Sequence, residues 1–142
     1  MLILVAALLF CPSVQAGEVT VAVASNFLKT AEALQPEFEQ ATGHRLILVG
    51  GATGKLAAQI MQGAPFAVFL SADAATPARL LATGKAIAGS SFTYALGRVA
   101  LLGARDDVAL RQGAFTHIAI ANPKVAPYGV AGEEQDPAIY KL

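Results

Sequence analysis

At 142 residues the chain is long enough for one ordinary domain or a piece of a larger one. Its 10 Lys and Arg balance its 10 Asp and Glu, so no charge surplus points to nucleic acid or an anionic membrane surface. Apolar residues make up 55%, and much of that excess sits in the first residues and in the many alanines.

The opening "MLILVAALLFCPSVQA" reads as a secretory signal segment. An apolar run from Leu2 to Phe10 leads through a proline to Val14-Gln15-Ala16, a small-x-Ala type of cleavage site. The run is too short to span a bilayer, and it lacks the usual Lys or Arg before it. The competing reading is a buried first strand, which no turn or polar alternation supports. Cys11 is the sole cysteine, and Phe10 before it fits a lipoprotein signal poorly. Cleavage after Ala16 leaves a mature chain without cysteine, which suits a periplasm.

"EVTVAVAS" is a short β-branched apolar run, the pattern of a buried parallel strand. In "NFLKTAEALQPEFEQATG", Phe27, Ala31, Leu34, Phe38 and Ala41 recur at helical spacing. Gly43 closes that helix, and Pro36 is expected to kink or divide it. "HRLILVG" is a second strand. "TGKLAAQIMQG" is a second helix, with Leu56, Ile60 and Met61 on one side and Gly63 as its stop. "FAVFLSAD" is a third strand ending in a polar cluster. "TPARLLATGKAI" is a third helix, started by Thr76 with Pro77 at its first position. "SSFTYALGRVALLGA" has strand character, "HIAIANP" is another strand, and "APYGVAG" opens a loop or a helix. Strand–helix alternation with short polar turns indicates an α/β fold with a parallel sheet. The final "EEQDPAIYKL" is polar and aperiodic, as a frayed end, a frameshift or a truncation would be.

The stretch "VGGATGKLAAQI" looks like a nucleotide loop and is not one. With Gly54-Lys55 as the Gly-Lys pair, Val49 stands where the first glycine belongs and Leu56 where the magnesium-binding hydroxyl belongs. What remains is a Gly-rich turn into a helix whose free N–H groups and dipole suit an anion. Thr53 is the expected N-cap, and a cap without any ligand is the alternative.

Ligands of parallel sheets bind beyond the carboxyl ends of the strands. Three loops there are suggestive: Ser25-Asn26, Ala52-Thr53-Gly54 and Pro127-Tyr128-Gly129. Each offers a hydroxyl or amide beside backbone N–H groups, and none offers a carboxylate. Phosphate, partly protonated near neutral pH, benefits from an acceptor. A fully ionised tetrahedral dianion needs donors only. The loops therefore lean towards sulfate, molybdate or tungstate. Lys55 is near in sequence but is placed to face solvent. Catalytic alternatives are thin. His44 and His117 have no metal spacing, no serine sits in a nucleophile elbow, and Asp106-Asp107 and Glu133-Glu134 read as solvated surface. Ser71-Ala72-Asp73 reads as a helix cap, with a hinge or a ligand loop as alternatives.

Three stretches, "VTVAVASNF", "GGATGKLAAQIMQGAPFAVFLSAD" and "IAIANPKVAPYG", resemble the periplasmic molybdate-binding proteins of bacterial ABC transporters, which are type II solute-binding proteins. The resemblance runs from about Glu18 to Ala131. It implies an α/β fold of two lobes, each with a parallel-type sheet flanked by helices, closing on one oxyanion. It divides the chain into a signal peptide (1–16), the N-terminal part of lobe one (17–90), the start of an incomplete lobe two (91–131) and a divergent tail (132–142). Carried over by motif, Ser25, Asn26 and Thr53 supply the first-lobe contacts, and Tyr128 with its backbone supplies the second-lobe contact. Molybdate or tungstate is the ligand, held by neutral donors with no direct cation ligands and no cofactor. The implied partner is the membrane permease of an ABC importer, with no nucleic acid and a monomeric state in a complete chain. Two departures stand out. Many relatives carry a Ser-rich loop where this chain has "GGATG", and an acidic residue where it has Val68.

Three alternatives accompany this reading. One is an inactive truncated fragment that binds molybdate poorly and exposes apolar surface. Another is a sulfate-type anion binder. The third is an enzyme acting on a phosphate-bearing substrate, which lacks a base, nucleophile or metal cluster.

Overall fold

The structure is a computed structural model that describes residues 17–98 and 119–135, the last three by backbone alone. Residues 1–16, expected to be a signal segment, His117, Asp106-Asp107 and most of the tail lie outside the described residues. Strand β1 (Glu18–Ala24) runs directly into helix α1 (Ser25–Thr42). Then follow β2 (Arg45–Gly51), α2 (Thr53–Met61), β3 (Val68–Leu70) and α3 (Ala75–Ala82). A last helix, which we label α4, spans Pro127–Gln135.

The three strands form one parallel sheet in the order β2-β1-β3. Val21, Ala22, Val23 and Ala24 of the central strand are all buried, as an unalternating apolar run demands when both faces are covered. Helix α1 packs on β1 and β2, while α2 packs on β1 and α3. The core gathers Val21, Val23 and Ala31 with Phe27, Leu28, Leu46, Leu48 and Leu70 against them. Among the described residues no helix is long and apolar enough to cross a membrane.

Several expectations are corrected here. Pro36 lies inside α1 without dividing it. The buried side of α1 is carried by Leu28 and Ala31, while Leu34 and Phe38 remain exposed. Polar side chains take the next turns. Gln35 donates to the Leu46 carbonyl (2.9 Å), and Glu39 accepts from the Leu46 N–H (2.8 Å), so α1 satisfies the outer edge of β2. Those two bonds explain why the apolar stripe stops at Ala31. Gly43 (φ 71°) and Gly63 (φ 91°) end their helices in the left-handed region, as the helix-stop pattern predicts. Strand β3 is only three residues long. Helix α3 stops at Ala82 rather than Ile87, and residues 91–98 and 119–122 adopt no strand. Apolar composition suggests strands in those places; the rest of the two stretches, 99–104 and 117–118, lies outside the described residues.

Candidate functional site

Because the sheet is parallel, all three strands deliver their carboxyl ends to one rim. Ala24 lies beside Gly51, and Val23 lies beside Leu70. From that rim the chain leaves as α1, as the Ala52 turn into α2, and as the Ser71–Ala74 loop into α3. With β1 central, the connections after β1 and β2 diverge, and the crevice between the ends of β1 and β3 is the expected binding place. A cavity of about 230 Å³ occupies that crevice. Asn26 and Phe27 line it from the start of α1, Ser71 and Ala72 from the end of β3. Tyr94, Leu96 and Gly97 line it from the following segment, and Tyr128 from the start of α4. Among the described residues no carboxylate, lysine, arginine or histidine lines it.

Of the four residues expected to contact a ligand, the structure brings two together. The Asn26 side-chain amide lies 3.5 Å from the Tyr128 hydroxyl, at the long limit of a hydrogen bond, across 102 residues of sequence. Ser25 is exposed at the first position of α1 and does not line the cavity. Thr53 is 2% exposed and adjoins the cavity only through Ala72. It is not the N-cap of α2. That position is Ala52, which has no side chain able to cap. The Thr53 hydroxyl instead accepts from the Ala72 N–H at 3.2 Å, which ties the loop after β3 to the start of α2. Accepting that bond leaves its own hydrogen free to donate.

Three helix starts meet around this rim. The Gly54 N–H in the first turn of α2 donates to the Val125 carbonyl at 3.2 Å, joining α2 to the turn before α4. The Asn26–Tyr128 approach joins α1 to α4. Tyr128 reaches that point because Gly129 lets α4 press onto the 121–123 turn. A Cβ there would overlap the Ala121 carbonyl oxygen. None of the three helices carries an acidic residue in its first turn. Their positive dipole ends are therefore not offset locally by side-chain charge.

In the polar cluster after β3 the N-cap position of α3 is Ala74, without a side-chain cap, and Asp73 just before it, rather than Thr76, holds the helix start. The Asp73 carboxylate accepts from the Thr76 N–H (2.5 Å) and the Thr76 hydroxyl (3.0 Å), so α3 begins one residue before Thr76. With Asp73 committed there, no carboxylate among the described residues lines the cavity to compete with an anion. His44 is structural, its Nδ1 accepting from the Gly17 N–H at 3.1 Å. The described residues contain no group of three or more potential metal ligands.

Sequence reasoning missed Tyr94. Its hydroxyl donates to the Ser71 carbonyl at 2.7 Å. Its ring meets Phe27 edge-on, with centroids 5.0 Å apart. Burial, and secondarily the nearby Tyr128, raise its phenol pKa above the usual tyrosine value, so it remains a neutral donor. The available signal was a single hydroxyl-tipped aromatic within an apolar stretch, since a buried tyrosine hydroxyl needs a partner.

Comparison with known proteins agrees with this architecture. The family described as bacterial extracellular solute-binding protein matches residues 19–135. A molybdate-binding protein ModA from Azotobacter vinelandii is 48% identical over 132 residues, covering 89% of this chain and 52% of the relative. One from Rhodobacter capsulatus is 45% identical over 124 residues, covering 84% and 49% respectively. The solved Azotobacter vinelandii periplasmic molybdate-binding protein superposes with a TM-score of 0.71 at 42% identity, over 82% of this chain and 53% of that one. The chain thus spans about half the length of the curated relatives it matches. With a family match reaching from β1 into α4, the chain belongs to the bacterial extracellular solute-binding proteins.

Proposed function

We propose that the chain captures a tetrahedral oxyanion, molybdate or tungstate, in the cavity between the starts of α1 and α4. The observation that carries this reading is the meeting of Asn26 and Tyr128 in a cavity that no charged side chain among the described residues lines. Two neutral donors 3.5 Å apart can both turn onto one ion. Desolvating a dianion is costly, and fixed donors with helix dipoles offset that cost without a counter-charge. Thr53, behind Ala72, and Ser25, at the first position of α1, are the further donors this reading calls on, although neither lines the cavity in the structure. The two relatives are named as molybdate-binding proteins, which supports the choice of ion.

On the same reading the protein is exported by its N-terminal segment and acts in the periplasm. It hands the ion to the permease of an ABC importer, as a monomer and without nucleic acid. Residues 17–90 belong to the first lobe and 91–131 begin the second. The role is binding rather than catalysis.

Isothermal titration with molybdate, tungstate, sulfate and phosphate tests the reading. Tight binding of the first two, with weak sulfate and weaker phosphate, is expected. Equal affinity for sulfate assigns a sulfate-type carrier instead, and no heat with any of the four ions refutes oxyanion capture.

A further inference from the structure

We propose that Tyr94 is a positioning residue for the oxyanion cavity, acting through Gly97 on the Tyr128 hydroxyl. The inference rests on reading that cavity as the oxyanion site. The Tyr94 hydroxyl fixes the segment to the end of β3 through the Ser71 carbonyl (2.7 Å), and its ring rests edge-on against Phe27. Phe27 follows Asn26 directly, so one side chain is referenced to both walls of the crevice. Three residues further on, Gly97 lies against the Tyr128 hydroxyl, and a Cβ at that position would overlap the hydroxyl oxygen. That same hydroxyl is the group that approaches Asn26.

The linkage therefore runs from β3 through Tyr94 and Gly97 to Tyr128, and back to α1 at Asn26. Residues 91–98 join no strand among the described residues, and Phe92 (79% exposed) and Leu96 (91% exposed) do not anchor them. Among the described residues, the Tyr94 hydrogen bond ties this segment to the end of β3. Apolar bulk alone would not fix it, because packing is non-directional whereas a hydroxyl–carbonyl bond sets distance and angle.

The test labels the three tyrosines with 13C at Cζ and follows the Tyr128 resonance, assigned by its loss in Tyr128→Phe, in the ligand-free protein. Tyr94→Phe retains the ring and removes only the hydrogen bond. Its Tyr128 signal should move or broaden, and its molybdate Kd should rise about fivefold, the usual value of one such bond. Gly97→Ala probes the same linkage from its other end. It should also move the Tyr128 signal, which keeps the proposal refutable should Tyr94→Phe not fold. Ala31→Gly, a destabilising change in the buried face of α1, serves as control and should lower Tm without moving that signal. A Tyr128 resonance unchanged in Tyr94→Phe or Gly97→Ala, or moved equally by Ala31→Gly, overturns the proposal. If the wild type fails to bind molybdate while Tyr94→Phe still moves Tyr128, positioning stands and the ligand assignment falls. If the wild type binds and Tyr128 stays in place, the reverse holds.

Discussion

Replacing Thr53 by valine separates two accounts of one residue. Valine keeps the shape and removes the hydroxyl. If the hydroxyl capped α2, the helix start would loosen. The structure instead spends that oxygen on the Ala72 N–H at 3.2 Å and gives α2 no side-chain cap at all. The loss therefore falls on the loop after β3. An orphaned backbone donor costs about 1–3 kcal/mol when buried, and Ala72 is half-buried, so about 1–2 kcal/mol is expected. For a chain of this size that corresponds to a fall in Tm of roughly 3–8 °C. Hydrogen exchange locates the damage. The Ala72 amide should lose protection in Thr53→Val, while the Lys55 and Leu56 amides, which donate to the Ala52 carbonyl, keep theirs. Thr53→Ser should restore both Tm and protection. Fast exchange at Lys55 and Leu56 with Ala72 still protected would refute this reasoning and return Thr53 to the role of a cap.

Thr53→Val should also weaken molybdate binding at least tenfold, since a donor lost from a charged partner costs about 1.5–3 kcal/mol; titration calorimetry checks this. Gly129→Ala should lift α4 off the 121–123 turn, lowering stability by about 1–3 kcal/mol in a denaturant melt and weakening binding through Tyr128. Glu39 is held below its ordinary carboxylate pKa, first by the Gln35 amide and then by the Leu46 N–H. A depressed folded-state pKa gives stability that is complete above the unfolded value and lost as pH falls through the folded one. Wild type should thus lose more stability between neutral pH and strong acid than Glu39→Gln, as read by urea melts across pH, and parallel curves would contradict it.

The order of the first six elements was legible because each has its own signal. The β-branched run of β1, the helical period of α1 and α2, and the glycine stops at Gly43 and Gly63 all act locally. The rim position of the candidate cavity followed from parallel topology. What could not be read is where a polar side chain spends its hydrogen bonds. Thr53 looks like a cap in sequence because a threonine after Gly-rich residues often is one, but a loop 19 residues away claims its oxygen. Thr76 and Asp73 exchange roles for the same reason, both being good caps and the carboxylate accepting twice. Tyr94 stayed hidden inside an apolar stretch read as a strand, and strand propensity says nothing of whether a partner edge is present.

The central claim is that the ion sits between Asn26 and Tyr128 on neutral donors. Diffraction from crystals grown with molybdate, recorded near the molybdenum absorption edge, locates the metal without reference to the protein structure. An anomalous peak in the cavity, with ion oxygens within hydrogen-bond reach of the Asn26 amide and the Tyr128 hydroxyl and no lysine or arginine beside them, is the predicted result. A peak elsewhere, or one held by a cationic side chain, would contradict the claim.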